Sequence, residues 1–324
     1  MILKYVDLFS GIGAFHQGFK NIYSECVFAC DIDTNNNKSY FDNYSIKPFY
    51  DINSIDIPSI PDFDILCAGF PCQPFSVNGH QFGFQDVRGN LFYKIHEILK
   101  FHSPSCFILE NVKNLVHHDS GNTFKTILNM LESLNYKISY KVLNGKDFGS
   151  PQSRERIFII GMKNTFFDFN KLVLEKSLPL SSFLDYSINS FVEKDKYTIL
   201  SDNIIKNSKN GLIFRGYFNG KMKKGIEQSK SNISRNHQQF ARIYSSDGYM
   251  PTILSQDTAG RYWVYIEELD IVRKITIPEL YKIMGFGNDF KINISNKIAL
   301  NQIGNSIDVR IIKNIVTALD KYYL

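Results

Sequence analysis

Cys72 lies in Ala68-Gly-Phe-Pro-Cys-Gln-Pro-Phe-Ser76, directly after an apolar run, Asp64 to Ala68, that reads as a strand. The two flanking prolines stiffen a loop at the carboxyl end of that strand, the place where open α/β sheets bind ligands. A thiol held there is accessible, whereas Cys67 belongs inside the strand and Cys26 and Cys30 read as core. No second cysteine pair at ligand spacing accompanies Cys67 and Cys72, so no metal site is expected. A hydrolytic thiol needs a histidine base. None of the seven histidines stands beside a strand end, and His117-His118 reads as a solvated pair. The better partner is Glu110, at the end of the apolar run Cys106 to Leu109 and followed by Asn111-Val112. A carboxyl group at the mouth of a buried strand can stay partly protonated and donate a proton, although a helix-start carboxylate is the plainer role for one such Glu. Arg154 and Arg156, in Gln152-Ser-Arg-Glu-Arg156, are two apart. In an extended strand they share a face and need anionic or carbonyl partners there, a surface salt-bridge ladder being the plainer alternative.

A second group of residues suits a nucleotide-like cofactor. Asp7-Leu-Phe-Ser-Gly-Ile-Gly-Ala runs from a strand through Gly11 and Gly13 into a helix. Glycines let the backbone pass close to a ligand, and amides at a helix start attract its anionic end. Asp31 follows Gly13 by eighteen residues at the end of the next strand, where a carboxylate can accept from ribose hydroxyls. Asp51, in Tyr50-Asp51-Ile52, could present an acceptor to an adenine amino group from a third strand, or simply cap a helix.

The elements that must position these residues alternate. Lys4 to Phe9, Cys26 to Cys30, Asp64 to Ala68, Cys106 to Leu109, Lys137 to Leu143 and Arg156 to Ile160 read as strands, with helical patterns at Leu91 to Phe101 and Thr123 to Leu134. This predicts an α/β domain with a doubly wound, mostly parallel sheet. From about residue 184 to 276 the texture changes to Lys, Asn, Ser and Gly with short aromatic runs at Ile213 to Phe218 and Tyr262 to Ile266, which predicts a smaller, loop-rich, mainly β domain. We expect a catalytic and cofactor-binding domain over 1–184, completed by 304–324, a second domain over 185–275 and a hinge over 276–303. Pro278 suits a first helical position, and 306–324 reads as a closing helix begun at Asn305.

Composition narrows the class. At 324 residues and 44% apolar content the chain can build a real core, and no apolar run approaches the roughly 20 residues of a membrane span. The N-terminal pattern is not that of a signal peptide, and an odd set of five cysteines fits reduced thiols, so a cytoplasmic protein is expected. Net charge is +5, but between Lys206 and Arg261 ten Lys/Arg face three Asp/Glu, a local +7. That is either a solvated surface or a polyanion site.

Taken in order, the D-L-F-S-G-I-G loop, the G-F-P-C-Q-P-F-S loop, Glu110-Asn-Val112, Gln152 to Arg156, Arg273 through Gly285 and Gln302-Ile-Gly-Asn-Ser306 resemble the DNA cytosine carbon-5 methyltransferases of bacterial type II restriction-modification systems, the short HhaI-like members most closely. The resemblance covers nearly the whole chain. It implies a Rossmann-like class I S-adenosylmethionine methyltransferase, with S-adenosylmethionine as donor, S-adenosylhomocysteine as product and no metal. Cys72 would add to carbon 6 of cytosine while Glu110 supports protonation at nitrogen 3. Arg156 would contact the cytosine carbonyl and orient Glu110, and Arg154 would steady the cysteine loop or a phosphate. Phe9, Gly11, Gly13, Asp31, Ile32, Asp51, Ile52, Leu91, Asn305 and Ser306 would line the cofactor pocket. The partner would be double-stranded DNA, bound by a monomer, with the target base flipped out at a cost of a few kcal/mol. The loop from Phe75 to Arg88 would close over it. Gln73, Ser76 and Arg88 in this region, and Gln238, Gln239, Arg242, Tyr244 and Thr252 in the basic second domain, would meet DNA. Thr252-Ile253 matches a family Thr-Ile or Thr-Leu pair, and Asp308 departs from the proline many members carry after Gly-Asn. A transfer-RNA methyltransferase on the same catalytic half, or a catalytically silent DNA-binding relative, are the rival readings.

Overall fold

The structure, a computed structural model, describes residues 2–71, 91–201, 211–221, 236–255 and 262–323. The chain divides into two compact units. One is built from Met1–Asn144, Glu155–Val173 and Ser306–Leu324, the other from Gly145–Arg154 and Leu174–Asn305.

The first unit is a six-stranded sheet of β1 (Leu3–Leu8), β2 (Ser24–Cys30), β3 (Ile65–Gly69), β4 (Cys106–Val112), β5 (Lys137–Asn144) and β6 (Glu155–Met162), in the order β2-β1-β3-β4-β6-β5. The pairs β1 to β2, β1 to β3 and β3 to β4 are parallel, and β6 runs antiparallel to both neighbours. This is the doubly wound, mostly parallel sheet that the alternation predicts. Strands covered on both faces read as continuous apolar runs, and Ile65 to Ala68 and Cys106 to Leu109 are wholly buried.

Among the described residues, the helices of this unit are α1 (Ala14–Phe19), α2 (Thr34–Tyr44), α3 (Leu91–His102), α4 (Asn122–Glu132) and, after α5 (Ile277–Ile283) and α6 (Asn296–Asn305) of the other unit, α7 (Val309–Tyr323). Helix α3 buries Phe92, Ile95, Ile98 and Leu99, one helical face, in a core shared with Leu8, Leu66, Ala68, Phe107 and Leu109. Helix α7 buries Val309, Ile312, Ile315, Val316 and Leu319. It crosses α1 so closely that a Cβ on Gly18 would lie 2.3 Å from Ile312 Cγ2.

The closing helix does not begin at Asn305, which is the last residue of α6. Asp308 sets the later start, accepting from the Arg310 amide at 3.1 Å as an N-terminal cap does. Likewise Pro278 is the second helical residue of α5, not the first.

The second unit carries a five-stranded sheet, β7 (Tyr197–Ile199), β8 (Phe214–Phe218), β9 (Arg242–Ser245), β10 (Trp263–Ile266) and β11 (Ile271–Lys274), in the order β11-β10-β9-β8-β7. Its strands β9 and β10 pair in parallel, and the pairs β10 to β11, β8 to β9 and β7 to β8 are antiparallel. Tyr197, Ile243, Tyr265 and Val272 form its small core. Arg273, almost fully buried, forks onto Glu279 with contacts of 2.6 and 2.9 Å, and Glu279 also takes the Thr276 amide and hydroxyl in a capping box that starts α5. Burial alone would raise the Glu279 carboxyl, but the Arg273 fork and the Thr276 and Asp185 amides bring it below the ordinary range.

Candidate active site

The end of β4 holds the first half of the site. Glu110 is 8% exposed and pairs in register with Gly69, the last residue of β3. A Cβ at Gly69 would stand a tight 3.3 Å from Ile307 and in ordinary contact, 3.5 Å, with Glu110 Oε2, so the strand end lies directly against the carboxylate. Arg156 Nε meets Glu110 Oε1 at 3.0 Å. The pairing follows from register: Val112 opposes Arg156 across antiparallel β4 and β6, which puts Glu110 and Arg156 on one face. Asn111, on the opposite face, donates through Nδ2 to the Phe70 carbonyl at 2.8 Å and accepts the Val112 amide at 2.8 Å. That amide fixes the backbone two residues before Cys72. Cys72, Gln73, Ser76 and Arg88 themselves lie outside the described residues.

Arg154 and Arg156 do not occupy one strand face, because β6 starts at Glu155. Arg154 is 2% exposed and donates to the carbonyls of Ile253 at 3.0 Å and Gly304 at 2.8 Å, which compensate its buried charge. Its neighbours continue the same seam. Gln152 Oε1 accepts the Ile253 amide, and the Thr252 hydroxyl donates to Ser153 O at 2.7 Å. Gly304 belongs there because a Cβ would collide with the Leu254 carbonyl at 2.3 Å.

The cofactor candidates cluster at the carboxyl ends of β1 and β2. Ser10 N reaches Cys30 O at 3.0 Å, tying the two strand ends together. Gly11, at φ +55°, has nothing within 4 Å of where a Cβ would stand, so this stretch of backbone faces open space. Its amide is not free for an anion as the glycine pattern suggests: it donates to Asp31 Oδ2 at 2.8 Å. Asp31 Oδ1 takes the Asp33 amide and Asn36 Nδ2. Burial raises the Asp31 carboxyl above its ordinary range, with these three donors opposing the rise. Three of about four acceptor positions are thereby filled, leaving room for a ligand hydroxyl. Ile32 beside it is 63% exposed, an apolar side chain on open surface. Phe49 N and O bridge to Ala29 and Asp31, which brings Asp51 alongside. Asp51 caps the short turn Ile52–Ser54 by accepting the Asn53 amide, and Ile52 is buried beneath it. Phe9 is half-buried at φ 53°, Leu91 opens α3, Ser306 is buried and Asn305 is exposed.

Some supports were not legible as site residues. Tyr44 donates to the Ile12 and Gly13 carbonyls, and a Cβ at Gly13 would strike its ring at 2.3 Å. Asp7, fully buried below the loop, accepts from Tyr40 at 3.2 Å through Oδ2, and Oδ1 has no partner. Burial pushes its carboxyl well above the ordinary range despite the Tyr40 hydroxyl. The position of Asp7 at the head of D-L-F-S-G-I-G was the available signal, but only the packing reveals that it faces inward.

In the second unit, Arg242 donates to the His237 carbonyl through Nε and Nη2, and Tyr244 meets Phe214 edge-on at 6.4 Å. Gln238 precedes the turn Gln239–Ala241, in which Gln239 is exposed. Among the described residues no group of three or more His, Cys, Asp or Glu could hold a metal, and no helix is long and apolar enough to cross a membrane.

A mostly parallel α/β sheet with a glycine turn, a buried aspartate and a carboxylate-guanidinium pair at its carboxyl edge has the arrangement of a ligand-binding α/β enzyme. The comparisons with known proteins specify it: the family model described as C-5 cytosine-specific DNA methylase matches residues 3–321, and the chain belongs to that family. It is a DNA (cytosine-5-)-methyltransferase. The type II methyltransferase M.NgoBI of Neisseria gonorrhoeae is 37% identical over 310 residues, covering 96% of this chain and 90% of that protein. The type II methyltransferase M.HhaI of Haemophilus parahaemolyticus is 33% identical over 326 residues, covering 97% and 93%. The solved Entamoeba histolytica methyltransferase EhMeth has the same fold, with a TM-score of 0.71 at 21% identity and coverage of 100% and 99%.

Proposed function

We propose that this enzyme methylates one cytosine of a specific duplex sequence, as a type II modification enzyme that protects DNA from a cognate endonuclease, with Cys72 as its covalent nucleophile. The observation that carries the reading is the pair of buried Glu110 with half-buried Arg156 at 3.0 Å, beside the strand end that leads through Phe70 to Cys72. The cysteine thiolate adds to carbon 6 of an extruded cytosine, and the ring electrons move toward nitrogen 3. Glu110, held by Arg156, supplies or shares the proton there, which makes carbon 5 nucleophilic like an enamine. Once carbon 5 carries the methyl group, a base removes its proton and the thiolate leaves, restoring the ring. Arg156 contacts the cytosine carbonyl, and Arg154 is a positioning residue that locks the Thr252 to Leu254 segment through Ile253 O.

The open space at Gly11, the remaining acceptor capacity of Asp31 and the exposed Ile32 fit the nucleoside of S-adenosylmethionine. That donor, when bound, supplies an electrophilic methyl group on a sulfonium. Gly13, Asp51, Ile52, Leu91, Asn305 and Ser306 complete the assigned pocket. Residues of the basic second unit, Gln238, Gln239, Arg242, Tyr244 and Thr252 among them, read DNA together with Gln73, Ser76 and Arg88.

The test is trapping. Carbon 5 of 5-fluorocytosine carries fluorine where a proton must leave, so the wild-type enzyme with S-adenosylmethionine should stay covalently attached to such DNA through denaturing electrophoresis. The Cys72→Ser variant should not. Persistent trapping by that variant would remove Cys72, and tritium transfer to RNA but not to duplex DNA would overturn the DNA assignment.

A further inference from the structure

A pocket of about 430 Å³ opens in the second unit between Lys196, Phe218, Asn219, Lys221, Phe240 and Trp263. Its shape follows from the sheet. Strand β9 begins only at Arg242, and the preceding turn Gln239–Ala241 leaves the end of β8 and the start of β10 without a full strand between them. Phe218 and Trp263 pack against each other beside that notch, with ring centroids 4.7 Å apart and planes at 58°, so that together they form one aromatic wall. Lys274 Nζ lies 5.4 Å from the Trp263 ring centroid. Among the described residues that line it, Lys196 and Lys221 are cations, both exposed, and none is a carboxylate. Glu193 pairs with Lys196 at 2.6 Å on the open surface, where such a contact is weak and exchangeable. The Asn219 amide is already engaged, accepting from Thr198 and donating to Asp195 O.

We infer that this pocket binds a nucleobase of single-stranded DNA, stacked against Trp263 and Phe218, with its flanking phosphates on Lys196 and Lys221. The volume falls within the roughly 300–1,000 Å³ of small-ligand pockets. Aromatic walls with cations at the rim match the way proteins hold unpaired nucleic acid, where every base offers a π-face and lysines track the backbone. A base inside a duplex is stacked on both sides and cannot enter. Aromatic faces and lysine charges do not distinguish one base from another, so selection among bases is weak. The inference rests on the reading that this chain acts on DNA, and it adds a second contact to DNA that is separate from the target cytosine.

Trp263 is the only tryptophan in the chain, so its fluorescence reports on this pocket alone. Titration of the full-length protein at low salt with a short oligothymidylate should quench that emission saturably. The double variant Lys196→Gln with Lys221→Gln, two exposed positions, should weaken the titration about ten-fold with an unchanged circular dichroism spectrum. Phe218→Leu, which keeps most of the volume, should reduce the depth of quenching. Absence of quenching, equal quenching by an oligoglutamate of the same charge, or an unaltered titration in the lysine variant would each overturn the inference. A parallel assay of methyl transfer to duplex DNA separates the two readings. Transfer without quenching removes the pocket alone, and loss of both transfer and duplex binding removes the DNA reading beneath it.

Discussion

Asp7 and Asp31 are both carboxylates at the edge of the same loop, and their surroundings give them different consequences. Asp31 gathers three donors, whereas Asp7 has one hydroxyl and an unpartnered oxygen in a fully buried position. A carboxyl group whose folded value is raised contributes stability that is complete below its ordinary value and is lost as pH climbs through the raised one. Asp7→Asn keeps the size and removes the ionisation. The variant should therefore gain on the wild type as pH climbs above the ordinary carboxylate range and lose that gain as pH falls back through that range, as measured by scanning calorimetry across pH. A gap that is constant, or that widens in acid, would contradict the assignment. At this scale the sequence was readable where chemistry shows as spacing, as with Asp31 eighteen residues after Gly13, or Glu110 ending an apolar strand. The solitary state of Asp7 was not readable, since it depends on Tyr40, thirty-three residues away. The separate partners of Arg154 and Arg156 were equally hidden, because one residue of strand boundary decides them.

At the level of elements, α1 is only six residues long and makes its glycine loop part of the packed structure through α7. Gly18 is the closest point of that crossing. Gly18→Val would drive a branched side chain into Ile312 and should cost about 1–3 kcal/mol, read as a lower urea midpoint with unchanged slope. Adding Ile312→Ala should recover part of the loss, because the two changes share one contact; strictly additive losses would place the strain elsewhere. The six strands of the first sheet were legible to within two or three residues, since each carries an apolar run, whereas in the second sheet only β8 and β10 showed, as aromatic runs, and the three- and four-residue β7, β9 and β11 did not. Helix ends were less so. The closing helix starts after Asp308, which holds its cap, and not at Asn305, which ends the helix before it.

For the molecule as a whole, a ligand that binds only the folded form stabilises it by mass action. S-adenosylhomocysteine at 100 times its dissociation constant should add about 2.7 kcal/mol, seen as a higher melting midpoint. Asp31→Ala should abolish that shift; an undiminished shift would take Asp31 out of the cofactor site. Two units were expected from the change in texture near residue 184, because composition records how a segment is buried. That Gly145–Arg154, inside the strand-rich half, clusters with the second unit was not, because its ties run to Met250, Ile253 and Gly304 far along the chain. The first unit is consequently discontinuous, and its last piece is the helix that covers Gly18. On a ribosome the six strands emerge early, but the apolar side of α1 must wait for the whole of the second unit to be synthesised before Ile312 arrives. The nascent sheet therefore carries an uncovered α1 face until α7 has been made.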